Sequence, residues 1–172
     1  PIDDDGLNVR PVHREELVVA SRDPTHVDAP VTIERLAELP LVLYDLTFGQ
    51  ADPMRRQLAE RAQLASVTLR PVVEVEEMEA ALQLAQRGLG ATVVARVVLR
   101  DRTGSRRLRI APFAEPLWET FAFIKRREAP LSPATRVFVD ILERRLETVG
   151  GGLLYGGPVE PESSDLTSGA AG

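Results

Sequence analysis

The chain has no cysteine, two histidines and one lysine, and each scarcity removes a class of chemistry. Without cysteine there are no disulfides, no thiolate zinc sites and no cysteine nucleophile. His13 and His26 are too few for a His-rich metal centre, so no metal and no cofactor is expected. Positive charge is also short. The net charge of −5 opposes a face built to neutralise phosphates, and this chain by itself is expected to make no DNA contact. Lys125 is the only lysine among 21 basic residues, a bias toward arginine that reads as genome composition rather than function. No apolar run approaches the roughly 18 residues needed to cross a bilayer, and Pro1-Ile2-Asp3-Asp4-Asp5 is the opposite of a basic, apolar signal peptide. No membrane partner is expected, and the expected location is cytoplasmic. The opening residue, Pro1, suits a piece of a longer protein.

What remains is ordinary globular material: 172 residues, 44% hydrophobic and 27% charged, enough for one domain or one incomplete bilobed domain plus a tail. Leu7–Val12 and Glu16–Ser21 read as two strands. Asp23-Pro24-Thr25-His26 breaks the pattern, Thr32 caps a helix over Ile33–Leu39, and Pro40 ends it. Leu41–Tyr44 is a short apolar run of the kind buried on both faces of a parallel sheet. After a loop, Asp52-Pro53 opens a helix with Met54, Leu58 and Ala62 on one face. Val67–Val75 is strand-like, with Pro71 marking an edge or a bulge.

The next helix carries Met78, Ala81, Leu82 and Ala85 at helical spacing, with Glu76 and Glu77 at its start. Gly88 and Leu89 suit a left-handed C-terminal cap leading into a strand, Ala91–Ala95. Leu108–Phe113 and Trp118–Arg126 read as strands separated by a Pro-containing turn. Ser132-Pro133 starts a last helix with Ala134, Val137, Phe138, Ile141 and Leu142 in one stripe, ending near Thr148. Residues 150–172 have the Gly, Pro, Ser and acid composition of a disordered tail. Strands alternating with helices predict an α/β layer with a mostly parallel sheet, whose ligands bind outside the carboxyl ends of the strands.

Sharper readings fail on their own requirements. Gly88-x-Gly90 closes a helix, whereas a dinucleotide fingerprint follows a strand and opens one. Glu74, Glu76 and Glu77 have no His or Cys nearby in sequence and suit a helix start. No catalytic residue is assigned, because spacing alone identifies no triad. Trp118 reads as core, His26 as a turn residue, and Arg14 and Arg22 as solvated arginines near the crossing strands.

Four stretches, in order, resemble the effector-binding region of LysR-type transcriptional regulators. They are Gly6-Leu7-Asn8-Val9-Arg10-Pro11-Val12-His13-Arg14-Glu15-Glu16-Leu17-Val18-Val19-Ala20, Leu36-Ala37-Glu38-Leu39-Pro40-Leu41-Val42-Leu43-Tyr44, Met78 to Ala91 with Gly88-Leu89-Gly90, and Arg126 to Phe138 with Pro130-Leu131-Ser132. The resemblance implies a periplasmic-binding-protein-like bilobed sensor, one lobe complete over about residues 17–126. The other is partial, with remnants at 6–14 and 130–148, all within residues 1–149. It implies no enzyme but a ligand-sensing domain that binds a small effector, a carboxylate-bearing metabolite by expectation. Through a homo-oligomer of the full-length protein, that domain would control DNA binding by a winged helix-turn-helix with no counterpart in these 172 residues. Family effector contacts carry over to Leu46, Thr47, Phe48 and Gly49, with Val94 and Ala95 behind them. Thr47 offers a hydroxyl, Phe48 an apolar wall, and the following helix a positive end for a carboxylate. The alternative is a stand-alone solute-binding module or a non-functional fragment.

Overall fold

A computed structural model describes residues 6–44, 52–100 and 107–149. The first strand, β1, runs unbroken over Leu7–Ser21, joining two segments that the sequence divides. Its partner explains this. The last strand, β5 (Arg109–Arg126), pairs antiparallel with it from Leu7↔Arg126 to Ser21↔Arg109. Ladder hydrogen bonds join backbones, so pairing continues through the polar run His13–Glu16 that interrupts the apolar pattern. The Pro-containing turn expected inside β5 is a bulge instead: Leu17 faces Leu117 but Val18 faces Pro112, which leaves residues 113–116 without a partner on β1. Phe113 bridges Val31 there, with the Val31 N–H donating to the Pro112 carbonyl at 2.9 Å and the Ala114 N–H to the Val31 carbonyl at 3.0 Å.

Between these strands lie α1 (Ile33–Glu38), β2 (Leu41–Tyr44), α2 (Pro53–Leu64), β3 (Pro71–Val75), α3 (Met78–Gln86), β4 (Ala91–Ala95) and α4 (Arg96–Arg100). The sheet order is β3-β2-β4-β1-β5. β2 is parallel to both β3 and β4, and α2 and α3 are the crossovers that make this so. β1 adds antiparallel pairings to β4 and β5, so the sheet is mixed, with its parallel part in the three strands joined by helices. β3 is an edge strand with a register shift opposite Leu41, as Pro71 foretells, and is shorter than Val67–Val75. α4 has no expected counterpart, because Arg96-Val97-Val98-Leu99-Arg100 is β-branched and follows β4 with no intervening cap residue.

Local signals act where the sequence puts them. The Thr32 hydroxyl accepts the Arg35 N–H at 3.2 Å, and the Asp52 carboxylate accepts the Arg55 N–H at 2.9 Å. Gly88 has φ of +84°; its N–H donates to Ala85 at 2.9 Å, and Leu89 N–H reaches back to Leu84 at 3.1 Å, a Schellman pair. Gly90 is small for another reason: a Cβ there would lie 2.2 Å from the Pro40 carbonyl oxygen, where β2 and β4 meet.

The core lies around β2, β4 and the second half of β1, where Leu17, Val18, Val19, Leu41, Val42, Val93 and Val94 are fully buried against Leu36, Met54, Leu58, Ala81 and Leu82. Burying each of these larger side chains stabilises by about 1.5–3 kcal/mol relative to exposure. The last helix, α5 (Pro133–Val149), is different. It forms as the sequence predicts, yet Val137, Phe138 and Ile141 are 57%, 61% and 55% exposed. Phe121 and Ile124 on β5 are also about half exposed. An ion pair between Arg10 and Glu143 at 2.5 Å joins this helix to the first half of β1.

Candidate functional site

The carboxyl ends of β2, β3 and β4 point the same way, and β1 runs antiparallel alongside β4 and on beyond its carboxyl end. Leu17↔Ala95 is the last β1–β4 pair, so residues 7–16 run on past the carboxyl end of β4, paired only with β5. Residues 13–16 and 118–121 of this ribbon therefore occupy the side of an α/β sheet where ligands bind. Residues alternate between the ribbon's two faces. One carries Arg14, Glu16 and Trp118. Arg14 lies over the Trp118 ring at 4.7 Å, and Arg96 at the start of α4 holds Glu16 at 2.6 Å. Gln57 on α2 donates to the Trp118 carbonyl at 3.0 Å, tying the ribbon to the helix layer. Trp118 is thus half-buried under a cation rather than sunk in the core.

The other face carries His13, Glu15 and Glu119. Glu15 stands directly opposite Glu119, and the His13 Nε2 is 2.5 Å from the Glu15 Oε1. His13 and Glu15 are both buried, the His13 Nδ1 has no partner, and the Phe121 ring lies 6.1 Å from the imidazole. Burial, with the negative charges of Asp52 and Glu15, pushes the Glu119 carboxyl above its usual range. Tyr44, at the end of β2, is buried; burial and the charges of Glu119 and Asp52 push its phenol up as well. The β2 end, the α2 cap and the ribbon thus form one acidic neighbourhood.

Leu46, Thr47, Phe48 and Gly49 lie outside the described residues, but their flanks, Tyr44 and Asp52, both belong to this neighbourhood. Val94 is fully buried in β4, and Ala95 is nearly so where the strand gives way to α4. The first turn of α2, expected to await a carboxylate, already holds one: the buried Asp52 takes the Arg55 amide, and Pro53 has none to offer. Arg14 and Trp118 meet each other, whereas Arg22 sits near Gly88 at the far end of β1. His26 is a turn residue, as expected, with its Nδ1 3.0 Å from the Ser21 hydroxyl. The sequence reading missed His13, Glu15, Tyr44, Asp52 and Glu119 as a group. Two acids and a histidine just before the apolar run Leu17–Ala20 of one strand were the available signal; the partner across the ladder was not legible.

Residues 1–147 match the sequence profile of the LysR substrate binding domain. The chain belongs to the LysR substrate-binding family. Solved members share its fold. The effector binding domain of QuiR, in complex with shikimate, superposes with a TM-score of 0.65 at 16% identity, over 86% of this chain and 69% of that one. The regulatory domain of CcmR from Synechocystis PCC6803, in complex with 2-PG, gives 0.69 at 22% identity, over 86% and 70%. HinK, a LysR family regulator from Pseudomonas aeruginosa, gives 0.69 at 17% identity over 87% of this chain. The present LysR-family chain spans 52% of the HinK chain. No curated protein matches. The family places the periplasmic-binding-protein-like α/β fold on the five-stranded sheet, and its members are transcriptional regulators. Among the described residues no helix is long and apolar enough to cross a membrane.

Proposed function

We propose that this LysR-family chain is the ligand-sensing part of a cytoplasmic transcriptional regulator. Residues 17–126 would be its complete lobe, and residues 6–14 and 130–148 its share of the second. Residues 150–172 would be a tail. The observation that carries this is the exit of the β1/β5 ribbon past the carboxyl end of β4, with buried polar groups gathered beside it. A small effector would lie there against Leu46, Thr47, Phe48 and Gly49, backed by Val94 and Ala95. Shikimate in QuiR carries a carboxylate and supports a carboxylate-bearing metabolite as effector.

The exposed stripe Val137, Phe138 and Ile141, with Phe121 and Ile124, supports the partial-lobe division, since it is the kind of apolar face that a domain core covers. Effector binding would shift lobe orientation in a homo-oligomer and so change DNA binding by a winged helix-turn-helix elsewhere in the protein. That requires different effector affinity in the two states. Calorimetry with a panel of small carboxylates, on the chain and on its Phe48→Ala variant, tests the reading. A carboxylate whose binding weakens in the variant, without a matching loss of folding stability, supports it. Equal affinity in both proteins removes the assignment of the loop.

A further inference from the structure

We infer that the ribbon face bearing His13, Glu15 and Glu119 is a receptor for a cationic nitrogen of the effector, a protonated amine or a guanidinium. This deepens the sensor reading and rests on it. Directly opposed like charges destabilise an antiparallel pair, and Glu15↔Glu119 is such a pair, with Glu15 buried and Glu119 partly so. Nothing basic answers Glu119: among the described residues, the arginines of this region serve the other face, with Arg96 on Glu16 and Arg14 over Trp118. Asp52 adds a third negative charge from the α2 cap, so a carboxylate here would be a fourth.

The unpaired nitrogen of His13 points the same way. An ionised Glu15 can only accept, so the His13 Nε2, 2.5 Å away, carries the hydrogen; in a neutral ring Nδ1 is then a lone-pair acceptor. That nitrogen is buried and has no partner, and in a neutral ring it is an acceptor lacking a donor, an unfavourable state. An ammonium or guanidinium group supplies several N–H donors and a positive charge together. Phe121, on the same face beside His13 and half exposed, offers a ring face to the cation. Glu119 is only partly buried, so its carboxylate is reachable from solvent.

With two histidines in the chain, imidazole 15N spectra separate His13 from a built-in control, His26. The 172-residue chain is titrated with n-butylamine hydrochloride or sodium butyrate at matched ionic strength, at pH 8 and at pH 5. The expected result is a saturable shift of the His13 Nδ1 with butylamine only, weaker at pH 5, with His26 unmoved. Glu119→Gln should weaken the amine by about tenfold, the loss of one charge-assisted hydrogen bond. An equal response to butyrate, or no response to butylamine at either pH, overturns the inference. Should Glu119→Gln not fold, the amine-against-butyrate contrast in the unmodified chain decides alone. If the amine fails while some carboxylate still binds in a Phe48-dependent way, the sensor reading stands and only this inference falls.

Discussion

Replacing Gly90 by alanine tests how closely β2 and β4 are packed. The added Cβ would sit 2.2 Å from the Pro40 carbonyl oxygen, 2.9 Å from its carbon and 3.3 Å from the Val42 Cγ2. An ordinary carbon–oxygen contact is about 3.3 Å or longer, so one strand must retreat by about 1 Å. The same carbonyl accepts the Ala91 N–H at 2.8 Å, and Leu41↔Ala91 is the register point that joins β2 to β4. A retreat of that size lengthens this bond beyond useful range. Overpacking a tight core costs about 1–3 kcal/mol, and a lost backbone hydrogen bond about 1 kcal/mol more. Reduced freedom of the unfolded chain offsets about 0.4–1 kcal/mol, which leaves a net loss of about 1–3.6 kcal/mol. Gly88→Ala is the matched control: its φ of +84° is strained for alanine, but the nearest atom to its Cβ is Arg22 Cδ at 3.8 Å, so only the left-handed conformation, about 1 kcal/mol, is at issue. Urea unfolding followed by the fluorescence of the single tryptophan, Trp118, compares the two. Gly90→Ala should lower the midpoint by about 1–2 M, with an unchanged slope. A Gly90→Ala protein no less stable than Gly88→Ala refutes the close approach of Pro40.

Two further perturbations probe the acidic neighbourhood. Asp52→Ala removes the cap on the Arg55 amide and should cost about 1 kcal/mol in the same urea assay; Asp52→Asn, which can still accept, should retain most of it. Glu119 titrates above its ordinary value of 4.5 in the folded chain, so folding favours its protonated form. Its contribution to stability is present at low pH and is lost as pH rises from 4.5 through the folded value. Urea unfolding from pH 4.5 to 8 should therefore show a decline that Glu119→Gln flattens, and an identical slope in both proteins would show that Glu119 carries no such penalty.

Capped elements were legible in the sequence because their signals are local. Thr32, Asp52-Pro53 and Gly88-Leu89 each act on amides or carbonyls within five residues, and all three form the expected caps. The joining of Leu7–Val12 with Glu16–Ser21, and of the two halves of β5, was not legible, since it depends on a strand about a hundred residues away. α4 was missed because β-branched Val97 and Val98 favour a strand, and tertiary context overrides propensity. The alternation that placed β1 also set His13 and Glu15 on one face. That this face meets Glu119, rather than Trp118 or Thr120, is a fact of register. The apolar stripe on α5 was legible as a pattern, but not its exposure, because periodicity says which side is apolar and not what covers it.

Hydrogen exchange with and without the effector that binds best in calorimetry, taken from a panel of small carboxylates with and without an amino group, tests the location of the sensor site most directly. Slowed exchange is predicted for amides of residues 45–51, the end of β4 and the ribbon around residues 13–16 and 118–121. Protection confined to the cavity of about 460 Å³ lined by Val31, Ile33, Arg61, Leu64 and Phe113, with no change at those segments, would contradict the account.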